Sequence, residues 1–163
     1  MAVKNDSKEN VIIIERIFDA PRAIVFEAWT KPECAMRWWG PKGFTIPFFE
    51  IDLRVGGVSF SCMRSPDGQD YWSKGIFREI VAPERLVITD QFADVEGNAV
   101  PASYYGMTGD WPIEMLVTVT FKEIDGKTAI TLQHEGIPPG ENSEMCIAGW
   151  NESFDKLDVY LAE

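Results

Sequence analysis

The chain has 163 residues, enough for one domain, and with 45% hydrophobic and 25% charged residues its composition is globular rather than disordered. Its formal net charge of −11, with no cluster of Lys and Arg, argues against a nucleic-acid or anionic-membrane partner. Three cysteines without a Cys-x-x-Cys pair, and a single histidine, leave no zinc ribbon, thioredoxin-type motif or metal-ligand set.

Residues 1–10 are polar and mixed in charge, lack the apolar run of a signal peptide, and are expected to form a disordered tail. A single domain then spans 11–163. No stretch approaches the ~18 apolar residues of a membrane span, and free thiols suit a reducing compartment, so a cytoplasmic protein is expected.

Residues 11–18 are β-rich and read as a strand. Asp19-Ala20-Pro21 then caps a short helix, with Val25 or Phe26 and Trp29 on one face. Thr30-Lys31-Pro32-Glu33 has the form of a capping box and opens a second short helix, which runs to Trp38-Trp39 and stops at Gly40-Pro41.

From Phe44 the period changes to two. Strands are predicted over 44–53, 58–64, 71–81, 85–92, 113–122 and 128–134, separated by turn signals such as Gly56-Gly57 and Pro66-Asp67-Gly68. Ile113, Met115, Val117, Val119 and Phe121 alternate with polar residues, and Asp125-Gly126 is a hairpin signal leading into Ile130, Leu132 and His134. Between 94 and 112 no period holds, and so long a connection reads as a mobile rim or lid. Ile147, Trp150, Phe154, Leu157 and Leu161 form the apolar stripe of a long C-terminal helix, capped by Asn142 or Ser143.

The expected fold is α+β: a curved antiparallel sheet of six to seven strands around that helix, with two short helices after the first strand. One helix about 10 Å wide cannot fill the concave face of such a sheet. Six tryptophans and ten phenylalanines suit apolar walls for the residual space. The candidate wall residues are Phe60, Cys62, Phe77, Ile88, Met115 and Val117 from the strands. Val119, Leu132, His134, Met145, Trp150 and Phe154 complete it.

Arg16-Ile17-Phe18-Asp19-Ala20-Pro21 with Val25-Phe26-Glu27-Ala28-Trp29-Thr30 resembles the opening of the START-like (SRPBCC) superfamily. Arg37-Trp38-Trp39-Gly40-Pro41, Asp52-Leu53-Arg54-Val55-Gly56-Gly57, Gly75-Ile76-Phe77-Arg78-Glu79-Ile80 and Gly149-Trp150-Asn151 resemble, more narrowly, the branch named for the activator of the 90-kDa heat-shock-protein ATPase. Pro83-Glu84-Arg85-Leu86-Val87 extends the similarity, which covers 11–161. The resemblance implies a helix-grip fold, associated with binding apolar small molecules and in some members with cyclase or hydratase activity. The separate chaperone-binding domain of the eukaryotic co-chaperone is not expected within these residues.

His134 faces the expected cavity, where an imidazole orients a ligand or moves a proton, or serves as a hydrogen-bonded structural group. Cys62 or Cys146 are the thiols within reach of a pairing with it, although buried inert thiols are commoner. Trp38 and Trp39 stand near the cavity mouth, and His134, Tyr71, Trp72 and Asn151 carry the polar tips suited to orienting a ligand.

The leading expectation is non-catalytic binding of a small apolar or amphipathic molecule, without cofactor or metal, by a monomer or homodimer. The residues expected to hold it are Trp38, Trp39, Phe60, Cys62, Tyr71, Trp72, Phe77, Met115, His134, Met145, Trp150, Asn151 and Phe154. Two alternatives stand beside it. One is a cyclase- or hydratase-like enzyme using His134 with Asp90 or Glu114. The other is a stress-related module acting on a chaperone.

Overall fold

The computed structural model describes residues 2–6, as backbone, and residues 10–163. Among the described residues eight strands form one antiparallel sheet: β1 Ala2–Asp6, β2 Val11–Phe18, β3 Thr45–Ile51, β4 Val58–Arg64, β5 Asp70–Val81, β6 Arg85–Ala93, β7 Met115–Ile124 and β8 Lys127–Glu135. Their order is β1-β2-β8-β7-β6-β5-β4-β3. The six strands from β3 to β8 make a meander, and β2 closes it by pairing with β8.

Between β2 and β3 the chain crosses from one side of the sheet to the other through α1 Arg22–Thr30 and α2 Pro32–Ala35. The helix α3, Glu141–Leu161, has 21 residues, a length of about 30 Å at 1.5 Å per residue. This is the helix-grip α+β architecture expected, with one addition: Ala2–Asp6, assigned to a disordered tail from the sequence, pair as an edge strand with β2.

The alternation read in β7 holds. Met115, Val117, Val119 and Phe121 are buried, while Ile113 lies ahead of the strand and is exposed. Asp125 and Gly126 both take positive φ, 50° and 81°, as a two-residue hairpin turn requires. On α3, Phe154 and Leu157 are fully buried, and Ile147, Trp150 and Leu161 pack against the same core.

The inward face of β2 carries Ile12, Ile14 and Phe18, with Arg16 among them opposite Ile130. Arg16 reaches α3, donating to Asp155 Oδ1 at 2.8 Å and to Asn151 Oδ1 at 3.2 Å, with its guanidinium over the Phe154 ring. Strand and helix are thus joined by charge as well as by apolar contact.

Three capping assignments are corrected. Pro21, not Asp19, is the N-cap of α1, without a side-chain bond. Thr30 is the last residue of α1, and its hydroxyl donates back to Phe26 O at 2.9 Å instead of capping α2. The cause is Pro32, which biases the preceding residue to extended backbone, so Lys31 (φ −99°, ψ 123°) becomes the N-cap. The last helix begins at Glu141 after Gly140, and the Ser143 hydroxyl donates to Gly140 O. The second short helix ends at Ala35, and hydrogen-bonded turns carry the chain on to Trp38 and Trp39.

Candidate functional site

Between the concave face of the sheet and α3 lies a pocket of about 340 Å³. This volume falls at the small end of the range in which ligand pockets occur. Phe77, Ile88, Met115 and Val117 form its floor, and Met145, Cys146, Gly149 and Trp150 face them from the helix. Trp29 and Trp39 wall one end: Trp29 stacks on Trp150 at 5.9 Å between ring centroids, and Trp39 meets Trp150 edge-on at 5.6 Å. Lys156 of α3 donates to Trp39 O at 3.0 Å and holds this turn in place.

The pocket is polar on two sides. On β4 and β5, Ser61 and Ser73 face it with hydroxyl oxygens 3.4 Å apart. On the opposite side His134, 5% exposed, sits between Val117 and Ile12 in register. Its Nε2 is 3.0 Å from Asp90 Oδ2. Asp90 and His134 occupy β6 and β8, which flank β7, so the contact spans two strand spacings over the sheet face.

His134 Nδ1 accepts the indole N–H of Trp150 at 3.1 Å and stands 3.6 Å from Cys146 Sγ. An indole nitrogen only donates, so in this arrangement Nδ1 carries a lone pair and the ring proton sits on Nε2, given to Asp90. Burial favours this neutral form, whereas Cys146 and the Asp90 carboxylate favour the cation and push the pKa up to about 10. The ring therefore has two hydrogen-bonding patterns. Protonation of Nδ1 keeps the bond to Asp90 and takes the acceptor away from Trp150.

Of the residues expected to bind ligand, Trp39, Phe77, Met115, His134, Met145 and Trp150 line the pocket. The remainder lie outside it. Trp38 is fully buried behind the wall, its indole N–H donating to Ala28 O at 2.9 Å. Phe154 is sealed against Phe18, and Asn151 is engaged by Arg16 and Ile147 O. Tyr71 packs against Phe44 and Tyr105. Leu132, a candidate wall residue, is fully buried in the core.

Phe60, Cys62 and Trp72 belong to the other face of the sheet. Phe60 stacks on Trp72 at 5.0 Å beside Phe48, and Cys62 pairs in register with both Phe48 and Trp72. The inward residues of β4 are Ser59, Ser61 and Met63. The apolar half of this strand faces out because an aromatic cluster covers it there.

Glu114, the other carboxylate considered for His134, is exposed and 3.9 Å from Arg78. Met107 and Trp111 join the pocket from the segment between β6 and β7. That segment contains a 3₁₀ turn, Ala102–Tyr105, and is tied to the body at both ends. The Tyr105 hydroxyl donates to Ala93 O and accepts from Trp72 N, while Asn142 of α3 donates to Thr108 O at 2.8 Å. Its lack of periodicity hid these residues. Its content of Met, Tyr and Trp was the available signal.

Among the described residues no helix is long and apolar enough to cross a membrane, and no cluster of three His, Cys, Asp or Glu is placed to hold a metal ion.

Residues 19–162 match the family described as Activator of Hsp90 ATPase homolog 1-like protein. No curated protein matches the chain. Solved structures resemble it over nearly its whole length. Protein Ms6760 from Mycobacterium smegmatis is 25% identical, with a TM-score of 0.81 covering 99% of this chain and 96% of that one. Protein CV1439 from Chromobacterium violaceum is 28% identical, with a TM-score of 0.79 over 94% and 98%. A protein from Arthrobacter aurescens is 27% identical, with a TM-score of 0.80 over 99% and 91%.

Proposed function

The chain belongs to the Activator of Hsp90 ATPase homolog 1-like family, and from this and the pocket we propose that it binds a small apolar or amphipathic molecule between sheet and α3. The observation that carries the reading is the pocket itself, walled by Trp29, Trp39, Phe77, Met115 and Trp150, with polar points that include the serine pair and the His134–Asp90 contact. Burying apolar ligand area supplies roughly 25 cal/mol per Å² before association costs, and the few polar points fix orientation. Native mass spectrometry of freshly purified protein tests it. A retained small molecule, displaced in Trp150→Ala, supports the reading. No retained or titratable apolar ligand in the wild type removes it.

A second reading has its own observation. His134 hydrogen-bonded to Asp90 inside a pocket is the pairing a general acid–base needs, with the carboxylate fixing the tautomer. It favours a cyclase- or hydratase-like proton transfer on the bound molecule. Turnover of a polyketide-like substrate that Asp90→Asn abolishes, with binding retained, separates this from passive binding. A chaperone-associated role is supported by the family description alone. An ATPase assay of a cognate chaperone, unchanged on addition of this protein, ends it.

A further inference from the structure

The pocket contains a nucleophile that neither reading uses. Cys146, in the second turn of α3, has its sulfur 3.6 Å from His134 Nδ1, and Asp90 Oδ2 lies 3.0 Å from the other ring nitrogen. Thiol, imidazole and carboxylate come from three separate elements, and all three line the pocket. This order gives a thiol its base and gives the base a fixed tautomer. Cys62 differs: it is fully buried on the opposite face of the sheet, and burial pushes its thiol up, away from the reactive anion.

The surroundings indicate the electrophile. Transfer of the Cys146 proton to Nδ1 leaves the Trp150 indole N–H without its acceptor. Trp29, stacked on Trp150, already holds a buried indole N–H with no partner. A ligand oxygen near the new thiolate restores a hydrogen bond to Trp150, and the apolar walls take an alkyl or aryl tail. A carbon made electrophilic by conjugation to a carbonyl meets both requirements.

We propose that Cys146, with His134 and Asp90, adds covalently to α,β-unsaturated ketones that carry an apolar tail. The proposal rests on the pocket as a site for apolar molecules. The S–H proton passes to His134 Nδ1, and the sulfur forms a bond to the β-carbon. The C=C π pair moves into an enolate, whose oxygen accepts from Trp150. The Nδ1 proton then moves to the α-carbon. The net change is addition of S–H across the double bond, with nothing oxidised or reduced. Cys146 is the nucleophile, His134 carries the proton, and Asp90 positions the imidazole. The titratable groups facing this centre are Asp90 from β6, His134 from β8 and Cys146 itself, while Lys74 of β5 lies in register with Phe60 on the outer face.

The test incubates the full chain with 3-nonen-2-one and, separately, with its saturated analogue 2-nonanone. Intact-mass and peptide mapping should find one adduct, on Cys146, formed at a rate that saturates with enone concentration. Asp90→Asn should lower the limiting rate 10- to 100-fold and displace its pH profile while the half-saturating concentration stays within about twofold. Cys146→Ser should remove the adduct, with a cooperative melting transition in each variant showing that both fold. Protection of Cys146 by 2-nonanone shows that the pocket takes the tail. Adducts on Cys34 or Cys62, a rate linear in enone, or an Asp90→Asn rate and profile equal to wild type overturn the proposal. If 2-nonanone binds and the enone does not add, only the covalent step fails. If neither ligand binds, the apolar-binding reading fails with it.

Discussion

Asp90 Oδ2 lies 3.0 Å from His134 Nε2, so a carboxylate on β6 and an imidazole on β8 meet above β7 at the floor of the pocket. The contact makes a titratable pair part of the sheet's interior face. It also gives folding stability a pH dependence of definite sign.

Burial lowers the His134 pKa, but Cys146 and Asp90 outweigh it and raise the folded-state value above the ordinary 6.5, to about 10. A raised folded pKa means that the stabilisation is complete below the unfolded pKa and is lost as pH rises through the folded one. The melting temperature of the wild type should therefore fall between about pH 6.5 and 10. Asp90→Asn should flatten this dependence, and melts recorded across that range check it. An equal slope in the two proteins would assign the effect to other groups.

Trp150 bears on ligand and core together, touching Trp29, Trp39, Phe154 and His134. Trp150→Ala should cost about 3 kcal/mol in denaturant unfolding, from lost area and the cavity left behind. It should weaken apolar ligands at least tenfold by fluorescence or calorimetric titration. Unchanged ligand affinity would place the binding site elsewhere.

The inward face of β4 can be tested by crowding it. Ser61→Phe points a ring into the pocket from a residue paired with Ser73, and should abolish ligand binding while the fold remains. Phe60→Ala, one residue away on the outer face, should leave affinity within about twofold and lower stability by about 2 kcal/mol. Calorimetry on the two variants reads both quantities. Reversed results would mean that the strand's register is misassigned.

Gly75 lines the pocket where β5 and β6 come close. A Cβ added there would stand 2.1 Å from Thr89 O and 2.9 Å from Ile88 Cγ1. Because the first contact is with backbone, no rotamer change relieves it, and the strands must part. Gly75→Ala should destabilise by about 1–3 kcal/mol in chemical unfolding.

The features legible in the sequence were those in which one local rule acts alone. Strict alternation from Met115 to Phe121, the Asp125-Gly126 turn and the apolar stripe of α3 each announced an element and its buried face. The β4 register was not legible. Phe60 and Cys62 against Ser59 and Ser61 is also an alternating pattern, and the usual inference sends the apolar set inward. Here the outer face builds its own cover from Phe48, Phe60 and Trp72, and the serines face the pocket, where bulky side chains would fill it. Space for a ligand inverts the pattern that a packed core would impose.

His134 was legible as inward because it shares a face with Ile130 and Leu132. Its partners were legible only as alternatives, Asp90 or Glu114 and Cys62 or Cys146, because Asp90, Cys146 and Trp150 are brought to it by strand order and by the helix crossing, and no sequence spacing encodes that meeting. Arg16 escaped notice for a related reason. A charge at an inward strand position looks like an interruption until the helix above supplies Asp155.

The place of β8 in the sheet has a consequence for how the chain is made. β8 is the last strand in sequence, yet it lies between β2 and β7 and completes the pairing of both. A nascent chain emerging from the ribosome therefore presents β2 with nothing to bond on its β8 side until residues up to 135 are free of the exit tunnel. Such distant pairing slows folding and prolongs exposure of a bare strand edge. During synthesis, the Ile12 to Ile14 stretch is the segment most in need of shielding from other nascent chains.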